Sequence, residues 1–179
     1  VCSIMIKIRK ADKNDLNQIE KIYNHIHLRE EKGLTSIGWI RNVYPTLQTA
    51  QNALERNDLF VMESGGKIVA CAVINQIQVD EYRLAKWKFE AKDSEVMVLH
   101  TLAVEPDEAG KGYGKAFVKY YENYARENNC FELRIDTNKT NTLARKMYEH
   151  LVFEETGTVT CNFNNIPNVS LICLEKHID

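Results

Sequence analysis

Residues 105–117 read EPDEAGKGYGKAF, with Gly110, Gly112 and Gly114 at alternate positions just before an amphipathic run. The chain of 179 residues holds only eight glycines, so three within five positions call for a cause. Glycine loses more conformational freedom on folding than any other residue. It concentrates where φ must be positive or where another group comes close to the backbone. On the N-terminal side lies EVMVLHTLAVEP (95–106), a near-continuous apolar run suited to a strand buried on both faces. On the C-terminal side Phe117, Tyr120, Tyr121 and Tyr124 mark one helix face. Strand, glycine turn and helix together make an anion site. The first N–H groups of a helix lack intrahelical partners, and the helix dipole favours negative charge. A loop with incidental glycines is the plainer alternative for this stretch taken alone.

Spacing narrows the anion. The dinucleotide fingerprint GxGxxG requires glycine at 115, where Lys115 stands. The P-loop GxxxxGK[ST] requires Gly at 109 and Ser or Thr at 116, and both positions are alanine. NAD and ATP are therefore poor fits.

Further out, MIKIRKA alternates as a half-buried strand, and Asp12 with Asp15 forms a capping-box pattern for a helix carrying Leu16, Ile19, Tyr23 and Ile26. Thr46 caps a second helix. Gly65-Gly66 sits between two apolar, β-branched runs and predicts a tight hairpin. IQVDEYRLAKWKFEAKDS (77–94) is too long and charged for a turn and reads as an excursion. CFELRID (130–136) is a short strand, and NTLARKMYEHL (141–151) a helix with Leu143, Met147 and Leu151 on one side. TVTCNFNNIPNVSLICLEKHI (158–178) gives two strands around an Asn/Pro turn. The order is β-α-α-β-β-β-α-β-α-β-β with no repeat or linker, which points to one α/β domain over 1–179 with a mixed sheet.

Composition is that of a soluble globular protein, 44% hydrophobic and 27% charged. A net charge of −2 gives no general reason to expect nucleic acid as a partner. No apolar run approaches the roughly 20 residues that span a bilayer. The opening VCSIMIKIRK is charged too early for a signal peptide, and Met5 is the expected start. Cys2, Cys71, Cys130, Cys161 and Cys173 form no CxxC pair and read as reduced thiols of a cytoplasmic protein. Cys161 and Cys173 have the spacing to face one another across a hairpin. His25 and His27 share a helix without matching cysteines, so no metal is expected.

Two blocks carry a family resemblance. LAVEPDEAGKGYGKAF (102–117) resembles motif A of the GNAT superfamily of N-acetyltransferases, usually Gln/Arg-Gly-x-Gly-x-Gly/Ala between the fourth strand and third helix. RIDTNKTNTLARKMYEHLVF (134–153) resembles that family's Asn-xx-Ala-xxx-Tyr-xxxx-Phe segment at Asn141, Ala144, Tyr148 and Phe153. GWIRNVYPT (38–46) and RIDT look like a subgroup of small bacterial members. The resemblance implies a single-domain fold with a mixed, mostly antiparallel sheet of about seven strands and about four helices. Two positions depart from the pattern. Ala109 stands where Gln or Arg is usual, and Val152 where a glycine stop is usual, so a differently built helix end is expected there.

The resemblance also implies acetyl-CoA as co-substrate and a small-molecule or peptide amine as acceptor. Leu102, Ala103 and Val104 would offer strand backbone to the acetyl and pantetheine arm. Gly110, Lys111, Gly112, Tyr113, Gly114 and Lys115 would hold the pyrophosphate, chiefly through backbone. Asn141 would cap the next helix and contact the cofactor. Tyr148 matches the family's thiolate-protonating tyrosine, against a packing role beside Ala144 and Met147. Asp136 is the preferred base, with Glu95, His100 and a water chain as rivals. Trp39, Tyr44, Tyr82 and Trp87 as a group suggest a pocket for a small, partly apolar amine. The last two strands, with Phe163, Ile166 and Leu171, are expected at a sheet edge that supports a homodimer. A non-catalytic acyl-CoA-binding module of the same fold is the alternative, and a nucleotide-binding regulatory domain a distant third.

Overall fold

The computed structural model describes residues 5–179; positions 1–4, including Cys2, lie outside the described residues. The elements are β1 (Ile6–Lys10), α1 (Leu16–Glu31), α2 (Leu47–Glu55), β2 (Leu59–Ser64), β3 (Lys67–Asn75), β4 (Val96–Val104), α3 (Tyr113–Glu127), β5 (Glu132–Asn138), α4 (Thr142–His150), β6 (Glu154–Phe163) and β7 (Ile166–His177). This is the order expected from the sequence. The strands make one seven-stranded sheet in the order β1-β2-β3-β4-β5-β7-β6. Only β4 and β5 run parallel among the described strands, with α3 as their crossover. The fold is α/β, mixed and mostly antiparallel.

Local chemistry fixes the boundaries. Asp12 accepts from Asn14 N at 2.7 Å and Asp15 Oδ2 accepts from Asp12 N at 2.8 Å, closing the capping box before α1. Gly65 and Gly66 take φ of +59° and +80°, the two positive values that a tight β2–β3 turn needs. Asn164 and Asn165, at +52° and +65°, do the same between β6 and β7.

The end of α4 corrects one expectation. Phe153 N donates to Tyr148 O at 3.0 Å and Val152 N to Glu149 O at 3.0 Å, the pair of bonds in a Schellman stop. Val152 sits at φ +69°, where a glycine usually stands. The stop is built in the ordinary way with an unfavourable residue.

Two layers flank the sheet. On one face α3 and α4 lay Phe117, Tyr121 and Tyr148 over Met97, Leu99, Leu133 and Ile135. On the other, α1 and α2 cover Val61, Cys71, Val73 and Ala103. The excursion between β3 and β4 covers the rest of that face, with Tyr82 against Val96, Val98, Leu171 and Cys173. Trp87 packs edge-on to Tyr82 at 5.2 Å and lies under the Arg134 guanidinium at 4.4 Å. Leu143, expected on the packed side of α4, is 82% exposed; Met147 does the packing. Phe163, Ile166 and Leu171 turn inward to the Tyr82 cluster instead of forming an outer apolar surface. Cys161 stands opposite Val169 and Cys173 opposite Gly157, and both are free thiols. No described helix is long and apolar enough to cross a membrane.

Candidate active site

β4 and β5 pair only at Val96–Val98 with Glu132–Arg134 and then part company. Beyond that point the β4 edge facing β5 has no partner strand. The opening continues as a cavity of about 1010 Å³. It runs through the sheet from the α3–α4 side to the side of the α1–α2 loop and the β6–β7 turn.

At one end sits the glycine turn. Gly110 and Gly112 have φ of +82° and +80°, with open space where a Cβ would stand. Gly114 has another cause: a Cβ there would lie 3.1 Å from Met147 Sδ. Two glycines make the turn and the third lets α4 approach α3. Gly112 is the N-cap of α3, and the helix takes up no N–H before that of Ala116, which donates to Gly112 O at 3.0 Å. The N–H groups of Tyr113, Gly114 and Lys115 are thus free at a dipole end. Lys115 borders the cavity. The Lys111 side chain does not: it pairs with buried Glu108, which also meets Lys67 at 2.7 Å. Lys111 therefore brings backbone, not free charge, to the turn. The Tyr113 hydroxyl turns inward, 3.0 Å from Ser64 Oγ.

Leu102 and Val104 side chains line the cavity, whereas Ala103 faces α1 on the opposite side of β4. Between His100 and Ala103 the strand carries a bulge against β3, since Cys71 pairs with Ala103 and Val73 with His100. Thr101 there has φ +51°. Asn141 Oδ1 caps α4, accepting from Ala144 N at 3.3 Å, and also borders the cavity.

Asp136 and Tyr148 come together in the middle. Burial raises the Asp136 carboxyl to about 6, against the opposing effect of a hydrogen bond donated by Tyr82 Oη at 2.6 Å. Burial, and then the Asp136 charge, push the Tyr148 phenol above its ordinary value. His100 lines the cavity as well, but burial lowers it to about 4 and its Nε2–H donates to Asn75 Oδ1 at 2.8 Å. Glu95 is exposed at the far end of β4, outside the cavity.

Of the four aromatics, Trp39 and Tyr44 wall the cavity; Tyr82 and Trp87 do not, although Tyr82 anchors Asp136. Spacing in the sequence gave no sign of three further contacts. The Tyr44 hydroxyl bonds that of Thr101. Glu30 gathers the α1–α2 loop by accepting from Thr35 Oγ1 at 2.5 Å, Ile37 N at 2.7 Å and Gly38 N at 3.1 Å. His25 Nδ1 bonds Glu105 beside Asp107, tying α1 to the end of β4.

Comparison with known proteins agrees with this architecture. The model of the acetyltransferase (GNAT) family matches residues 19–153. No curated protein matches the chain. Among solved structures, a GNAT-family acetyltransferase from Streptococcus agalactiae superposes with a TM-score of 0.80 at 17% identity, covering 99% of each chain. The yncA protein of Salmonella typhimurium, solved with its cofactor acetyl-CoA, gives 0.68 at 20% identity over 97% of this chain and 94% of that one. The ribosomal-protein-S18-alanine N-acetyltransferase of Escherichia coli gives 0.67 at 19% identity over 98% and 95%. With its glycine turn, its parted fourth and fifth strands and a family match over most of its length, the chain belongs to the GNAT family of acetyltransferases.

Proposed function

We propose that the protein is an N-acetyltransferase that passes acetyl directly from acetyl-CoA to a primary amine on a small molecule or peptide. The parting of β4 and β5 carries the reading. It joins free N–H groups, an unpaired strand edge and a carboxyl–phenol pair within one cavity. Acetyl-CoA fits this surface by chemistry: N–H groups at residues 113–115 suit the pyrophosphate, and the bare β4 edge suits the pantetheine amides.

Asp136 accepts a proton from the incoming ammonium, for which a carboxylate with a pKa near 6 is ionised at neutral pH. His100, held down at about 4, is the weaker acceptor. The amine lone pair attacks the thioester carbonyl carbon, and backbone N–H groups at the Thr101–Leu102 bulge stabilise the oxygen as it gains charge. The C–S bond then breaks, and sulfur takes the Tyr148 proton as it leaves. Burial keeps that phenol protonated until the thiolate forms. The attacking nitrogen sheds its remaining extra proton through water to the Tyr148 phenolate as the neutral amide forms, and Asp136 releases its proton to solvent, which resets both groups.

Trp39, Tyr44, Phe163 and Leu171 on the acceptor side favour an amine with a compact apolar body. Free thiols at Cys71, Cys130, Cys161 and Cys173 are consistent with a reducing, cytoplasmic setting. The open edge of β6 supports a homodimer, which light scattering at high concentration tests. The decisive experiment follows CoA thiol release with a panel of primary amines. Release that depends on both substrates is expected; binding of acetyl-CoA without release from any amine would instead identify a non-catalytic module.

A further inference from the structure

Thr101 is part of the β4 bulge, and its φ of +51° lies where a residue branched at Cβ is rarely found. A bulge also leaves backbone groups outside the strand ladder. Something has to hold this geometry. Its hydroxyl meets that of Tyr44, a residue 57 positions earlier in the α1–α2 loop. Tyr44 is itself well seated: its ring packs edge-on to Trp39 with centroids 6.3 Å apart, and its backbone bridges to Ile40. Burial pushes its phenol up to about 12, so at neutral pH it is an uncharged hydroxyl. Both residues line the cavity.

We propose that Tyr44 is a positioning residue, which by bonding Thr101 Oγ1 holds the bulge in left-handed geometry and so aims the backbone N–H groups of Thr101–Leu102 at the thioester oxygen. The proposal rests on the acetyl-transfer reading above. Tyr44 has no part in proton transfer under it. The ring alone fills the wall between Trp39 and the strand, and a phenylalanine would fill it equally well. The hydroxyl is what links the acceptor-side loop to the strand that polarises the thioester.

The test is a cycle of Tyr44→Phe and Thr101→Gly. Tyr44→Phe should leave melting temperature and acetyl-CoA affinity close to the parent while kcat falls about 10- to 100-fold, the scale of a misplaced reacting group. Glycine takes positive φ without the tie. In the Thr101→Gly background the same Tyr44→Phe change should therefore cost a much smaller factor. An unchanged kcat in Tyr44→Phe, or equal losses in both backgrounds, overturns the proposal. If the parent acetylates no amine, the acetyl-transfer reading has failed by itself. The bulge-holding claim is then decided by NMR: the Thr101 and Leu102 amide resonances move in Tyr44→Phe if it is right and stay in place if it is wrong.

Discussion

Tyr82 Oη donates a 2.6 Å hydrogen bond to Asp136 Oδ2, joining the β3–β4 excursion to a strand 54 residues further on. Burial alone would hold the Asp136 proton more tightly; this bond favours the ionised carboxylate and leaves the group at about 6. Tyr82 thereby sets the acidity of a residue it does not neighbour in sequence.

The acid limb of kcat/KM for an amine should follow that group, rising through pH about 6. Tyr82→Phe removes the bond that favours ionisation, so the Asp136 pKa rises and the limb moves to higher pH. Profiles of parent and variant that superimpose would disconnect Asp136 from proton acceptance.

Asp136 also carries a stability signature. An acid whose folded pKa exceeds its unfolded value binds protons more tightly when folded, so its contribution to stability falls as pH rises from about 4 through about 6 and then levels. Asp136→Asn escapes this decline. Denaturant unfolding should find it more stable than the parent at pH 8, with the difference shrinking toward pH 4, even as activity is lost.

Tyr148→Phe keeps the ring that packs against Phe153 at 5.7 Å and removes only the hydroxyl. Stability should change little, while kcat falls by roughly 10²–10⁴ and KM for acetyl-CoA moves much less. A kcat near that of the parent would show solvent protonating the thiolate.

Gly112→Val should abolish most acetyl-CoA binding by calorimetry. No protein atom meets the new Cβ, so the lesion acts through φ +80°, at a backbone cost of about 1–2 kcal/mol and with the turn's N–H groups re-aimed. In the parent, acetyl-CoA should raise the melting temperature with the logarithm of its concentration, and ATP and NAD should not. A shift with ATP alone would overturn the phosphate assignment.

Val152→Gly should stabilise the protein. A branched residue at φ +69° is strained, and Val152 is 69% exposed, so little packing is lost. A gain of about 1 kcal/mol, or roughly 2–4 °C in melting temperature, is expected. A fall on heating trials would mean that its side chain is in productive contact.

Much of this was legible in the sequence because it is local. Capping at Asp12, the Gly65-Gly66 hairpin and the glycine turn each depend on residues a few positions apart. The motif spacing from Asn141 to Phe153 likewise fell on one helix and its stop. What escaped depends on long-range contact. Periodicity put Leu143 beside Met147, but only Gly114 on α3 selects Met147 as the packed residue. Their place in irregular segments grouped Tyr82 and Trp87 with Trp39 and Tyr44, yet on the same face of the sheet the first two are packed into a separate cluster while the last two wall the cavity. The left-handed Thr101 has no local signature, since a threonine in a strand gives no hint of positive φ.

β7 lies between β5 and β6, although it follows both in the chain. During synthesis, β5 therefore waits with a bare edge until residues 166–177 have left the ribosome. The residues of the glycine turn, α3 and the β4 bulge all precede that segment in the chain. Asp136 gains its opposite neighbour, Cys173, only with that late strand. A chain stopped before Ile166 would keep the residues of the glycine turn but lack Ile166, Val169 and Leu171 of the cavity wall. The last strand of the chain thus supplies both the neighbour of Asp136 and part of the cavity wall, so the centre of the cavity is closed by the element synthesised last.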